Sequence, residues 1–153
     1  MADERHLLTD IRLEAVEPGW RPVYRVAERR RLIPGAPRRR RDLDLVGGRD
    51  NLAQAILVRL LTPRGELEPL GHPEYGSRLH TLIGRPGSAA NRNLARLYVL
   101  EALALEPRIQ AVRRVDLVPV PRELGLVSLV VVVEPAGRSE LVTVGPFTLE
   151  FPS

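Results

Sequence analysis

Residues 126–133 read LVSLVVVV, an apolar run interrupted by a single serine. A nearly continuous apolar run that is rich in valine is typical of a central β-strand that is covered on both faces. Two further β-prone segments flank it, residues 109–120 and residues 141–151. Proline and glycine in the segment EPAGRSE, residues 134–140, supply a turn before the last of them. We therefore expect a three-stranded antiparallel meander centred on residues 126–133.

The last of these segments has the features of an edge strand. Gly145-Pro146 interrupts it. Proline lacks the backbone N–H that a residue of a central strand donates to a neighbouring strand. Apolar and polar side chains alternate beyond the break, in the order Phe147, Thr148, Leu149, Glu150 and Phe151. The sequence therefore places this strand at an edge, with one face towards the core.

Helical patterns precede the strands. Leu52, Ile56 and Leu60 form one apolar stripe, in a helix that Asp50 is expected to cap and that Thr62-Pro63 ends. A short helix, residues 78–83, is expected after a capping Ser77. These elements and the meander predict an α+β fold, with two to three helices packed on a small, mainly antiparallel sheet.

A longer helix is predicted from about Ala89 to Leu105, with Ser88 as its cap and Glu106-Pro107 as its end. Its apolar face is expected to carry Leu94, Leu97, Tyr98 and Ala102.

Residues 1–41 form an N-terminal extension in this interpretation, and residues 42–153 form the α+β domain. DIRLEAV, residues 10–16, could be a strand. Seven arginines flank a Pro-Gly-Ala-Pro centre in residues 29–41, which indicates an exposed or disordered loop. Its run Arg38–Arg41 could be a solvated loop, could dock on an acidic protein or could contact phosphates, and charge alone leaves these alternatives open. Because only 4% of the residues are aromatic, base-stacking platforms are disfavoured and we expect no nucleic-acid partner.

Several classes of site are disfavoured by composition. The chain has no cysteine, so disulfides and thiolate metal sites are excluded. His6, His72 and His80 are not at ligand spacing, and we expect neither metal nor cofactor. The N-terminus lacks the apolar core of a signal peptide, and no apolar run approaches the length of a membrane span. We expect synthesis in the cytoplasm and no membrane insertion.

The segment LLTPRGELEPLGHPEYGSRL, residues 60–79, has the composition of an active-site loop. Glu66, Glu68 and Glu74 are candidate acids or bases, but sugar hydrolysis needs two carboxyls across one bond, one of them with a raised pKa. Prolines and glycines recur throughout this segment, which favours a rigid connection between two helices. We expect no catalytic residue here.

The segment Glu106-Pro107-Arg108 predicts a rigid corner. Proline stops the helix and makes Glu106 extended, so the side chains of Glu106 and Arg108 can point the same way. An arginine fixed at such a corner is a good anchor for a protein partner. The alternative is a local ion pair that only stops the helix.

Residues 48–84 and 101–120 together resemble the baseplate wedge and sheath-initiator family of contractile tails, which includes baseplate protein W. The resemblance runs from about Asp42 to Val120 and rests on three parts. These are the helix NLAQAILVRLLT, the segment RGE…HPEYGSRL and the motif Glu106-Pro107-Arg108. Relatives of this family occur in phage tails, in type VI secretion systems and in extracellular contractile injection systems.

The resemblance implies a fold similar to the core domain of the tail-sheath subunit, and a structural role without catalysis. The chain would link the wedge proteins to the first sheath ring and nucleate sheath assembly, in a particle that carries six copies around its tube. Glu106, Pro107 and Arg108 would contact the larger wedge proteins. The sheet edge would accept a strand from the first sheath ring, through Leu141, Val142, Thr143, Val144, Phe147 and Leu149. Inner tube or hub proteins are further candidate partners. The family is often labelled lysozyme-like, so the alternative is a tail-associated peptidoglycan hydrolase, a muramidase.

Overall fold

The computed structural model describes residues 7–17, 23–31, 34–35, 40–123 and 125–151. Its two α-helices within these ranges are α1 (Gly48–Leu61) and α2 (Ala89–Ala104). Its strands are β1 (Thr9–Ile11), β2 (Leu13–Glu17), β3 (Val23–Val26), β4 (Glu28–Arg31), β5 (Arg40–Leu43), β6 (Leu45–Gly47), β7 (Ile109–Pro119), β8 (Leu126–Pro135) and β9 (Val142–Glu150). This is an α+β fold, as the sequence predicts.

The predicted meander is confirmed, because β7, β8 and β9 form one antiparallel sheet in that order. Every second residue of β8 joins the main core with residues of both helices: Val127, Leu129, Val131 and Val133. The expectation that β8 is covered on both faces is wrong for part of its length. Leu126, Ser128 and Val130, which alternate with the buried set, stay partly exposed.

Helix α1 keeps its predicted stripe but begins earlier than expected. Leu52, Ile56 and Leu60 are fully buried. The N-cap is Gly47, and Asp50 lies inside the first turn without a capping hydrogen bond, so its predicted capping role is wrong. An acidic residue in the first turn still complements the positive end of the helix dipole.

Helix α2 is turned slightly relative to the predicted face. Its capping is confirmed, since the Ser88 hydroxyl accepts a hydrogen bond from the Asn91 N–H at 3.2 Å. Ala95, Val99 and Leu103 are buried with the predicted Ala102, whereas Leu97 is exposed. Helix α2 lies against β7, and small residues on the contacting face allow close approach to the sheet.

The connection between the helices folds back on itself. It contains two short 3-10 helices, Glu68–Leu70 and Leu79–Leu82, so the predicted helix over residues 78–83 is a 3-10 helix. The Ser77 hydroxyl donates to the Leu60 carbonyl at 2.5 Å, and the Ser77 N–H donates to the Thr62 carbonyl at 2.8 Å. Gly76 has a φ of +101°, and a Cβ there would lie 2.5 Å from the Thr62 carbonyl oxygen. The connection is therefore closed tightly at its base.

The first part of the chain forms three two-stranded ribbons, β1–β6, β2–β3 and β4–β5. They meet at a junction of three residues linked by backbone hydrogen bonds. Arg12 N–H donates to Asp44 at 2.9 Å, Ala27 N–H donates to Arg12 at 2.8 Å, and Asp44 N–H donates to Ala27 at 2.9 Å. Ala27 is buried at this junction. The single strand expected over residues 10–16 is thus divided at Arg12.

The arginine-rich segment is partly regular. The expectation of an irregular loop over residues 29–41 is wrong at both ends, because Arg29–Arg31 lie in β4 and Arg40 and Arg41 lie in β5. Arg38 and Arg39 lie outside the described residues. The division of the chain at residue 41 stays a prediction, although β1 pairs with β6 and Leu7 lies in the main core.

Candidate functional site

The corner after α2 holds a buried ion pair. Arg108 Nε donates to Glu106 Oε1 at 2.6 Å, and Arg108 Nη2 donates to Glu106 Oε2 at 3.1 Å. The two side chains point the same way, as the sequence predicts. Only 6% of the Glu106 side chain and 18% of the Arg108 side chain are exposed, so this is not the solvent-exposed local pair of the alternative interpretation.

A second cation, Arg59, lies beside this ion pair, and the sequence did not predict it. Arg59 Nη2 of α1 lies 3.5 Å from Glu106 Oε2, and its guanidinium stacks 4.4 Å from the centre of the Tyr75 ring. Arg59 Nε is buried and has no hydrogen-bond acceptor within the described residues. Arg59 sits on the buried stripe of α1 between Ile56 and Leu60, and a charged residue at such a position was the available signal. We call Arg59, Glu106 and Arg108 the corner cluster.

The corner cluster fixes the charge of Glu106. Burial raises its pKa, but the hydrogen bonds and charge of Arg108, together with the charge of Arg59, outweigh burial and hold the pKa below the ordinary 4.5. Glu106 is therefore ionised at neutral pH. Two guanidinium groups then face one carboxylate, which leaves one positive charge in excess.

The corner cluster forms one end of a cleft of about 600 Å³. Apolar side chains make most of its walls: Leu8, Ile11, Leu13, Val26, Ala55, Val58, Tyr75 and Pro107. Asn51 Nδ2 donates to the Leu7 carbonyl at 2.9 Å, and Gln54 Nε2 donates to the Ile11 carbonyl at 2.9 Å. These bonds tie the N-terminal segment to α1 and make it one wall, which the sequence did not predict. We call this cavity the corner cleft.

The second predicted surface, the β9 edge, is present. Within the described ranges β9 pairs with β8 alone, and Gly145-Pro146 opposes the single residue Val130 in a bulge. Thr143 is exposed, as is Leu141, which precedes the strand and whose carbonyl accepts from Arg49 Nη2 at 3.1 Å.

The remaining residues of the predicted β9 surface lie inward. Val142, Val144 and Leu149 are buried and Phe147 is half-buried. A partner at this edge would therefore meet backbone groups more than side chains.

The carboxylates of the connection lie apart from the corner cleft. Glu66, Glu68 and Glu74 are exposed, and Glu74 forms an ion pair with Arg64. In the part of the chain that the structure describes, no group of three or more histidine, aspartate or glutamate side chains is placed to hold a metal ion. No helix there is both long enough and apolar enough to cross a bilayer.

The comparisons with known proteins add one structural likeness. No family model matches the chain. No curated protein matches it either. Among solved structures, the fold is similar to a protein of Geobacter sulfurreducens described as a "putative tail lysozyme", with a TM-score of 0.55 and 23% identity. The likeness covers 68% of this chain and 91% of that one, and it shows a shared fold.

Proposed function

We propose that this chain is a structural baseplate component of a contractile injection machine, linking the wedge proteins to the first sheath ring. This proposal rests on the corner cluster, which lies at one end of an apolar cleft. The cluster includes Glu106 and Arg108 of the motif that contributes to the sequence resemblance. The tail origin named for the structural neighbour agrees with this role. By resemblance, six copies surround the tube, and inner tube or hub proteins are further neighbours.

The corner cleft suits an apolar helical ridge with a polar group at one end. Its walls are mostly aliphatic, which favours an i, i+3, i+4 set of apolar side chains from a helix. Asp10 also lines the cleft and offsets the excess positive charge of the corner cluster, so the polar end of the cleft suits a hydrogen-bonding group rather than a net negative charge. Glu106 holds Arg108, and Arg59 is stacked on Tyr75, so we assign both arginines the role of shaping the corner that the partner meets.

The β9 edge suits strand addition by a sheath subunit better than the opposite edge does. Strand β7 carries two register shifts, and Arg96 Nε already donates to its Val115 carbonyl at 3.1 Å. Bulges and arginine side chains are devices that blunt an edge. Strand β9 has one register shift, at Gly145-Pro146, with regularly paired residues on either side.

The alternative is a muramidase, which the name of the structural neighbour favours. That chemistry needs a general acid with a raised pKa beside a second carboxyl. The pKa of the buried Glu106 is lowered instead, and the three glutamates of the connection are exposed. We therefore favour the structural role.

A turbidity assay on purified cell walls separates the two functions. We expect no clearing by the purified chain at any concentration at which it stays folded. Clearing that disappears in Glu66→Gln or Glu74→Gln would establish the muramidase and overturn the structural role as the main function.

The wedge contact is tested by an affinity pull-down of the tagged chain from its native host, followed by mass spectrometry. Ala55→Arg places a long side chain in the corner cleft from a helix position that tolerates arginine, and should abolish recovery of wedge proteins. Ala90→Arg, exposed on α2, is the matched control and should keep them. Equal recovery with both variants would show that the corner cleft is not the wedge contact.

A further inference from the structure

The β4–β5 ribbon exposes most of its residues to solvent. All four residues of β4 are exposed, and so are Arg41, Asp42 and Leu43 of β5. A two-stranded ribbon with no covered face is marginally stable in water. This ribbon therefore lacks, within the described residues, the packing that normally holds such strands.

The charge pattern of the ribbon also disfavours the pairing of β4 with β5. Arg30 lies directly opposite Arg41, and Arg31 is in register with Arg40. Like charges opposite each other destabilise a strand pair. The two strands contain five arginines and only two acidic residues, Glu28 and Asp42, which gives a surplus of three positive charges.

The ion pairs inside the ribbon are weak. Arg41 lies 3.3 Å from Glu28, and Arg31 lies 3.9 Å from Asp42. Arg29 and Arg30 form no ion pair within the described part of the chain. The ribbon therefore has basic side chains available for an outside partner.

A second concave surface lies between the two hairpins. It has a volume of about 550 Å³. It is lined by Glu14, Arg25, Val26, Glu28, Arg29, Arg30 and Arg41. The Glu14 carboxylate is engaged by Arg25 at 3.0 Å, so the cations of β4 and β5 dominate the opening. We call this surface the ribbon cleft.

We propose that the ribbon cleft binds an acidic, extended segment of a partner protein, which adds a strand to the β4–β5 ribbon. The added strand would supply the missing backbone pairing, and its carboxylates would neutralise the facing arginines. Exposed aliphatic side chains, Val26 and Leu43, stand beside the arginines and suit a peptide with alternating acidic and apolar residues. A nucleic acid offers neither the backbone pairing nor the aliphatic contact, so a protein segment is favoured. This site shares Val26 with the corner cleft and is otherwise distinct from it and from β9.

The probe is a short fluorescent peptide of alternating glutamate and valine, followed by anisotropy with the full chain. We expect saturable binding that weakens as salt rises. Arg30→Gln/Arg41→Gln should weaken it about tenfold, because two charge contacts are lost. The double variant also removes the Arg30–Arg41 repulsion, so it should melt no lower than the wild type. Arg113→Gln/Arg114→Gln, on exposed arginines of β7, is the matched control and should bind normally.

Two further probes identify the mode of binding. A peptide N-methylated at alternate positions should lose affinity, and the amides of Arg41–Leu43 should exchange more slowly when the unmodified peptide is bound. Equal binding by the double variant and the wild type would overturn the proposal. So would undiminished binding of the methylated peptide, or tighter binding of a DNA oligonucleotide of equal charge.

Discussion

Glu106 combines features that usually exclude each other, because it is a buried carboxylate that stays charged at neutral pH. Two arginines from different elements make this tolerable, Arg108 beside it and Arg59 from α1. The sequence predicted the first of these because the residues are two apart. It could not predict the second, because Arg59 is 47 residues away and only the packing of α1 brings it close. At this scale, local geometry is predictable and long-range pairing is not.

Replacing Glu106 should expose how much the carboxylate stabilises the fold. Glu106→Gln leaves two buried guanidinium groups without their counter-charge, and we expect a loss of about 3 kcal/mol in the free energy of unfolding at pH 7. The measurement is urea unfolding followed by circular dichroism. A variant as stable as the wild type would show that the ion pair makes no net contribution to the free energy of unfolding.

The same pair of proteins tests the pKa of Glu106. A folded pKa below the ordinary 4.5 contributes stability that is present above pH 4.5 and is lost as pH falls through the folded pKa. The difference in unfolding free energy between wild type and Glu106→Gln should therefore be constant at neutral pH and should shrink below pH 4.5. A difference that grows on acidification would mean that the pKa is raised.

Gly76 is the second residue whose identity is dictated by its surroundings. Gly76→Ala would combine a strained backbone with a clash against the Thr62 and Pro63 carbonyls, and we expect a cost of about 3 kcal/mol or more. Gly71→Ala is the control, since Gly71 also has a positive φ, of +85°, but open space around it. Its cost should be about 1 kcal/mol. Thermal melts of both variants make the comparison, and equal losses would mean that the close contact at Gly76 is unimportant.

At the scale of elements, regular periodicity made the two helices and the meander predictable. The stripe of α1 and the alternation at the end of β9 are both visible in the sequence, and both are found. The rotation of α2 was missed because its buried face carries alanines, whose pattern is weak against neighbouring leucines. Strands β4 and β5 were missed because short, arginine-rich strands lack an apolar period. The pairing of β1 with β6 was missed because the two strands are distant in sequence.

The two edges of the meander give a prediction about strand addition. Thr143→Lys puts a charge on the exposed side of β9, a feature that natural edges use against pairing, and should abolish sheath recovery in the pull-down. Val118→Lys, exposed on β7, should leave recovery intact. If the β7 variant alone lost the sheath protein, the docking edge would be the opposite one.

At the scale of the whole molecule, the N-terminal segment is continuous with the main core. Leu7 has no exposed surface and belongs to the cluster formed by both helices and the sheet. Strand β1 pairs with β6, and the same segment lines the corner cleft. The corner cleft therefore combines residues 8–13 with the segment that follows α2, two parts of the chain that are far apart in sequence.

Two adjacent leucines test this continuity. Leu7→Ala should cost about 2–5 kcal/mol, because it leaves a cavity in the core. Leu8→Ala, at a position 60% exposed, should cost less than about 0.5 kcal/mol. Denaturant midpoints of the two variants give the answer. Similar, small losses would place the N-terminal segment outside the cooperative unit.

The junction of Arg12, Ala27 and Asp44 has a consequence for how this chain can change. The β2–β3 hairpin lies between Arg12 and Ala27, and the β4–β5 hairpin lies between Ala27 and Asp44. In each case the two flanking residues are hydrogen-bonded to each other. Because these bonds do not involve the hairpins themselves, a whole hairpin can be exchanged while the flanking backbone keeps its position. Grafting a hairpin of different charge between these residues would change the charge of this surface and keep the same core.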